Sequence, residues 1–167
     1  AAFNFVYREN IAQLNRLGYN LSEENVRKGF ANVCELTGLM GRWQKLNDHP
    51  TLICDTGHNV GGISYIVDQL KQQTCRHLHI VMGMVNDKDV SGVLAMMPQE
   101  ATYYFTKASV KRALDEEQLS ALGEAYGLHG TSYPDVTTAT RAALGTATED
   151  DLIFVGGSSF IVADLLS

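Results

Sequence analysis

The sequence predicts an α/β protein, a doubly wound, mostly parallel Rossmann-like sheet of five to six strands flanked by helices, with an N-terminal helical pair. Three observations lead there. Short apolar runs at 52–54, 78–82, 103–105 and 152–155 are bounded by turn residues, the pattern of strands buried on both faces. Stretches of helical periodicity at about 60–73, 89–97, 115–126 and 136–147 separate or follow these runs. Parallel neighbours need crossover connections, and alternating strand and helix patterns supply them.

Taken in order, Tyr7, Ile11, Leu14 and Leu17 recur at three- and four-residue spacing and Gly18 follows as a stop, so residues 5–17 predict an amphipathic helix. Ser22, with Glu24 and Asn25 after it, predicts an N-cap, and Val26, Phe30 and Val33 give the next helix one apolar face. The Gly-punctuated stretch 37–42 is a connector. Residues 43–46 can add an edge strand, 128–133 a weaker strand and 158–166 a closing helix. Two segments result, 1–40 helical and 41–167 α/β. The chain opens at Ala1, with a helical pattern close behind, and is expected to be cut from something longer.

The chain of 167 residues, 45% of them apolar, can bury one sizeable core. Thirteen Lys and Arg against 19 Asp and Glu give a net charge of −6, which argues against a generic nucleic-acid or acidic-membrane surface. Cys34, Cys54 and Cys75 are odd in number and widely spaced, so neither a disulfide framework nor a zinc ribbon is indicated. No run reaches the roughly 18 apolar residues of a membrane span, and no signal pattern opens the chain. The expectation is a soluble, cytoplasmic protein.

Polar residues cluster where strands end. Asp55-Thr56-Gly57-His58-Asn59-Val60-Gly61-Gly62 follows the run at 52–54 and leads into a helix. Asp55 can hold a ribose hydroxyl or a metal, accept from an amine, or satisfy loop N–H groups as an Asx-turn acid. His58 can bind a phosphate or carboxylate, or cap the helix that follows. Lys88 brings one positive charge to the loop after 78–82, where Asp89 can cap the next helix. Arg112, after 103–105, can clamp a carboxylate or be a surface cation. Gly156-Gly157-Ser158-Ser159 closes the last strand, an anion cradle, a helix cap or both. His77 and His79 share one strand face without a third ligand nearby in sequence, and no metal site is predicted.

The chain carries neither a Gly-x-x-x-x-Gly-Lys-Ser/Thr loop, nor a Gly-x-Gly-x-x-Gly fingerprint, nor a Gly-x-Ser-x-Gly elbow. Four polar strand-end loops without a complete catalytic set read as half of a site.

In this order, Gly41-Arg42, Asp55 to Asn59, Gly83 to Asp89, Ser109 to Ala113 and Gly156 to Ser159, the chain from about Gly41 onward resembles the C-terminal domain of folylpolyglutamate synthase/dihydrofolate synthase, a Mur ligase relative. Gly57 stands where that family commonly has Ala, and Lys111 where Pro often precedes the Arg; neither change removes a charged group. The resemblance implies that residues 1–40 are the helical tail of a central ATPase domain. It also implies a ligase in which ATP phosphorylates a folate or pteroate carboxylate and glutamate attacks the acyl phosphate. ATP and Mg2+ would be bound mainly by an N-terminal part outside this chain. Arg42 would contact a phosphate, Asp55 the nucleotide, and Arg42 and His58 would be catalytic. His58, Asn59, Lys88, Arg112, Ser158 and Ser159 would place substrate. A cell-wall Mur-type amide ligase keeps the same fold with another acceptor, and a stand-alone nucleotide- or protein-binding module is the alternative of a different class.

Overall fold

The computed structural model describes residues 13–19, 21–86 and 89–167. Contacts divide the chain into two units, Ala1–Met40 and Gly41–Ser167. The helix expected over 5–17 falls largely outside the described residues; 13–16 are helical.

In the first unit, the Ser22 hydroxyl accepts the Asn25 N–H at 3.1 Å and starts α1, Glu23–Ala31. Glu23 and Glu24 lie in its first turn and pair with Arg27 and Lys28 one turn on. The face drawn through Val26, Phe30 and Val33 is not continuous. Asn32 leaves helical geometry (φ −110°, ψ 19°), so Val33 opens a second helix, α2, Val33–Thr37, which ends at left-handed Gly38. Val26 is buried, whereas Phe30 is exposed.

The second unit alternates as the sequence predicts: β1 Gln44–Asp48, β2 Thr51–Asp55, α3 Val60–Lys71, β3 Leu78–Met82, α4 Val90–Leu94, β4 Thr102–Phe105, α5 Glu116–Ala125, β5 Gly130–Ser132, α6 Val136–Thr146, β6 Leu152–Gly156 and α7 Ser159–Leu165. Each of these helices begins at a side-chain oxygen that takes a first-turn N–H, from Asn59, Asp89, Asp115, Asp135 and Ser158 in turn. The α4 helix is shorter than its periodicity suggests. Met96 and Met97 donate three residues back, to Val93 and Leu94, in a tightened last turn, and Pro98 has no N–H to continue.

The strands form one sheet in the order β1-β2-β6-β3-β4-β5. Only β1, at the edge, is antiparallel, and a register shift between Lys45 and Asn47 interrupts its pairing with β2. The other neighbours are parallel. Going from β2 through β3 and β4 to β5, the chain lays α3, α4 and α5 on one face. Ile53, Ile80, Met82, Tyr103, Phe105, Leu152 and Phe154 meet them there. The return from β5 to β6 puts α6 on the other face beside α7, over Leu52, Cys54, Val81, Tyr104, Ile153 and Val155. Reversing the direction of travel reverses the face because crossovers keep one hand. Both clusters are almost fully buried, and each large side chain contributes about 1.5 to 3 kcal/mol of transfer free energy.

Burial pushes the Cys54 thiol up to about 11, with the Asp55 charge adding to it, so Cys54 behaves as a small apolar core residue. His77 and His79 lie at the other end of the sheet from the loops considered below. His77 pairs with Thr102 at 2.8 Å, and buried His79 with the Tyr104 hydroxyl at 3.1 Å. Among the described residues no helix is long and apolar enough to cross a membrane.

Candidate functional site

Helices on opposite faces open a crevice where neighbouring strands send their chains apart. Here that strand is β6. Its chain continues into α7 on one face, while those of β2 and β3 on either side continue into α3 and α4 on the other. Asp55 pairs with Gly156 and Gly156 with Met82, so the three loops leave the sheet at one level. Bare backbone forms the floor between them. A Cβ on Gly156 would lie 2.8 Å from the Asp55 carbonyl oxygen, and one on Gly157 (φ +93°) would lie 2.6 Å from that of Gly83.

The β2 loop is laced to the segment Gly41-Arg42-Trp43. Asp55 Oδ2 accepts the Trp43 N–H and Oδ1 the Gly57 N–H, both at 2.7 Å. Thr56 donates its N–H to the Gly41 carbonyl at 2.9 Å, and its hydroxyl accepts from Arg42 Nη1. Trp43 holds a left-handed φ of +45°, and its ring lies 6.3 Å from that of Phe154 in the core. The Asx-turn reading of Asp55 therefore describes its contacts here, with both oxygens turned to backbone N–H groups.

The Nδ1 of half-buried His58 lies 3.0 Å from the Thr56 carbonyl oxygen. A carbonyl only accepts, so Nδ1 carries the proton and Nε2 is the ring's acceptor when the imidazole is neutral. Asn59 caps α3 through the Gly62 N–H at 2.8 Å. The helix cap that could have fallen to His58 thus belongs to Asn59.

The β4 loop joins the same rim through the β3 loop and α7. Arg112 enters that tie through its carbonyl, which accepts the Asn86 N–H at 3.1 Å, while its guanidinium carbon lies 4.9 Å above the Phe160 ring centre. Ser109 reaches Asp164 of α7 twice, by N–H at 2.7 Å and by hydroxyl at 2.8 Å. Lys88 lies outside the described residues.

Ser158 and Ser159, paired in the sequence reading, part company in the fold. Ser158 is only 2% exposed, and its hydroxyl accepts the Phe160 N–H at 3.2 Å as the α7 cap. Ser159 is exposed at the first position of the helix. Thr56, Trp43, Phe160 and Asp164 were not singled out from sequence. Thr56 sits inside the Asp55–Asn59 motif and Trp43 next to Arg42, and that adjacency was the available signal.

This rim offers two guanidinium groups, an imidazole with an accepting Nε2 and an exposed hydroxyl, arranged around a glycine floor. Such a set can bind and orient an anionic ligand. Among the described residues no group of three or more His, Cys, Asp or Glu side chains is placed to hold a metal ion.

Known proteins are similar to this chain in sequence and in fold. The dihydrofolate synthase/folylpolyglutamate synthase of Escherichia coli is 30% identical over 159 residues, 93% of this chain and 36% of the relative. The structure of E. coli FolC in complex with DHPP and ADP superposes with a TM-score of 0.79 at 29% identity, over 93% of this chain and 36% of that one. A bifunctional folylpolyglutamate synthase/dihydrofolate synthase with Mn, AMPPNP and L-glutamate bound gives a TM-score of 0.75 at 30% identity, over 93% of this chain and 37% of that one. The chain thus spans about a third of the length of these relatives. Residues 41–159, from the glycine before Arg42 to Ser159, match the model of the Mur ligase, glutamate ligase domain, and the chain belongs to that family.

Proposed function

We propose that this chain is the C-terminal domain of a cytoplasmic, ATP-dependent ligase that joins glutamate to a folate or dihydropteroate through an acyl phosphate. Residues 1–40 would be the helical tail of its central ATPase domain. The observation that carries this reading is the convergence of Arg42, His58 and Ser159 on one switch-point rim, in a chain similar over 93% of its length to enzymes solved with ADP and DHPP, or with AMPPNP and L-glutamate.

Arg42 stands at a strand end on a short anchored segment, and a preorganised cation there stabilises charge developing on a transferring phosphoryl group. Asp55 fixes that segment and lies beside the nucleotide. Glutamate is taken by the other side of the rim: Arg112 pairs with a carboxylate, Ser159 and Lys88 add donors, and Asn59 orders the loop. His58 accepts an N–H of the incoming amine at Nε2, which directs the nitrogen toward the acyl carbon. Holding two reactants in register saves orientation entropy, and closing this rim over the ATPase part excludes water that would hydrolyse the acyl phosphate. ATP and Mg2+ would be held mainly by the other domains; the metal supplies charge neutralisation at the phosphates.

The test is to assay the full-length ligase with dihydropteroate, tetrahydrofolate and a UDP-muramoyl acceptor. Glutamate- and ATP-dependent amide formation on either folate substrate is expected. Turnover of the UDP-muramoyl acceptor alone would overturn the folate assignment and keep the ligase fold.

A further inference from the structure

Thr56 touches two of the residues to which roles are assigned above, Arg42 and His58. Its hydroxyl accepts from Arg42 Nη1 and its carbonyl from His58 Nδ1, while its N–H binds the Gly41 carbonyl. We propose that Thr56 is the positioning residue that sets Arg42 and His58 relative to each other, an inference that rests on the roles proposed for those two residues.

The side chain suits the task because both of its branches are engaged. Its methyl, Cγ2, lies where a Cβ on Gly41 (φ +70°) would come within 2.8 Å, so it packs directly against the Gly41 backbone. A β-branched residue has few χ1 choices, and a seated methyl fixes where the hydroxyl points. The hydroxyl then meets Arg42, one residue beyond the Gly41 that the methyl touches. Arg42 is a long, exposed side chain, of a kind with many rotamers to restrict. On the other side, Thr56 holds His58 through its backbone, which side-chain substitution leaves in place. Thr56 therefore controls Arg42 through its hydroxyl and His58 through its carbonyl, and the two effects can be separated.

The experiment uses Thr56→Val, which keeps the methyl and the branching, and Thr56→Ser, which keeps the hydroxyl. In the full-length ligase, Thr56→Val is expected to lower kcat/KM for ATP about three- to tenfold, the range for one hydrogen bond, and to leave the KM for glutamate unchanged. Thr56→Ser should recover most of the loss. In an Arg42→Ala background Thr56→Val should have no further effect, because a residue acting through Arg42 has nothing left to act on. In the 167-residue chain, NMR of the guanidinium should show distinct Arg42 Nη protons that merge in Thr56→Val. An equal loss with and without Arg42, wild-type kinetics beside an impaired Arg42→Ala, or an unaltered Arg42 spectrum overturns the inference. Wild-type kinetics of Arg42→Ala itself would count against the proposed function, and the spectrum judges the Thr56 contact apart from it.

Discussion

The Trp43 N–H donates to Asp55 Oδ2 at 2.7 Å, tying the residue after Arg42 to the last residue of β2. That bond holds Trp43 at φ +45°, a conformation a bulky side chain does not adopt unaided. Asp55→Ala should lower stability by about 2 to 4 kcal/mol, since two hydrogen bonds to a charged group are lost. Arg42→Ala should cost less than about 1 kcal/mol, its side chain being exposed. Denaturant unfolding followed by fluorescence of Trp43, the only Trp in the chain, measures both. Equal stability of the two variants would show that the Asp55 bonds do not hold the segment.

In the full-length ligase, Arg42→Ala is expected to reduce turnover about 30- to 1,000-fold, the range for removing one charge-stabilising donor from a closed site. Steady-state kinetics at saturating substrates decides it; a change within a few-fold removes Arg42 from the phosphoryl-transfer step.

Ser158→Ala should cost about 1 kcal/mol of stability through the lost α7 cap. Ser159→Ala should leave stability within about 0.5 kcal/mol. Kinetics should reverse the order: Ser159→Ala and His58→Ala raise the KM for glutamate, on the order of tenfold, more than that for ATP. A raised ATP KM with an unchanged glutamate KM would assign this side of the rim to the nucleotide.

Acid should destabilise the domain in two stages. The His79 imidazole and Asp151 carboxylate face each other at 3.6 Å, each no more than 5% exposed. Burial, reinforced by neighbouring His77 and opposed by Asp151, holds the His79 pKa below its ordinary 6.5. The unfolded chain takes up that proton first, so this contribution to stability is complete above about pH 6.5 and is lost as pH falls below it. Asp151 is held below the ordinary carboxylate range, first by the Thr148 N–H and also by the Thr148 hydroxyl and His79. Its contribution is present above about pH 3.9 and is lost as pH falls through the folded value. His79→Gln should flatten the stability curve between about pH 7 and 5 and leave the lower stage in place, as urea midpoints across that range will show.

Gly157→Ala should destabilise by about 2 kcal/mol or more, because a Cβ there meets the Gly83 carbonyl oxygen at 2.6 Å and the backbone is left-handed. Calorimetry gives the measure, with Gly145→Ala, where a Cβ meets nothing within 4 Å, as the helical control that should not destabilise.

The local elements were legible in the sequence because their causes are local. Ser22, Asp89 and Ser158 cap helices within three residues of themselves, and the apolar runs became strands whose alternate residues feed opposite faces. Even so, the face through Phe30 and Val33 failed at Asn32, and α4 stopped short of 97, since periodicity does not report where a backbone leaves the helix. The placement of β6 between β2 and β3 was not legible, nor was the burial of Ser158 beside an exposed Ser159. The grip of Thr56 on Arg42, 14 residues away, was equally hidden. What the sequence by itself determined was the kind and order of elements and the polar loops at strand ends, all set by interactions a few residues long. Only the tertiary structure decided which loops share a crevice and which hydroxyl each one exposes, because strand order and register are set by crossovers and packing between residues far apart in the chain.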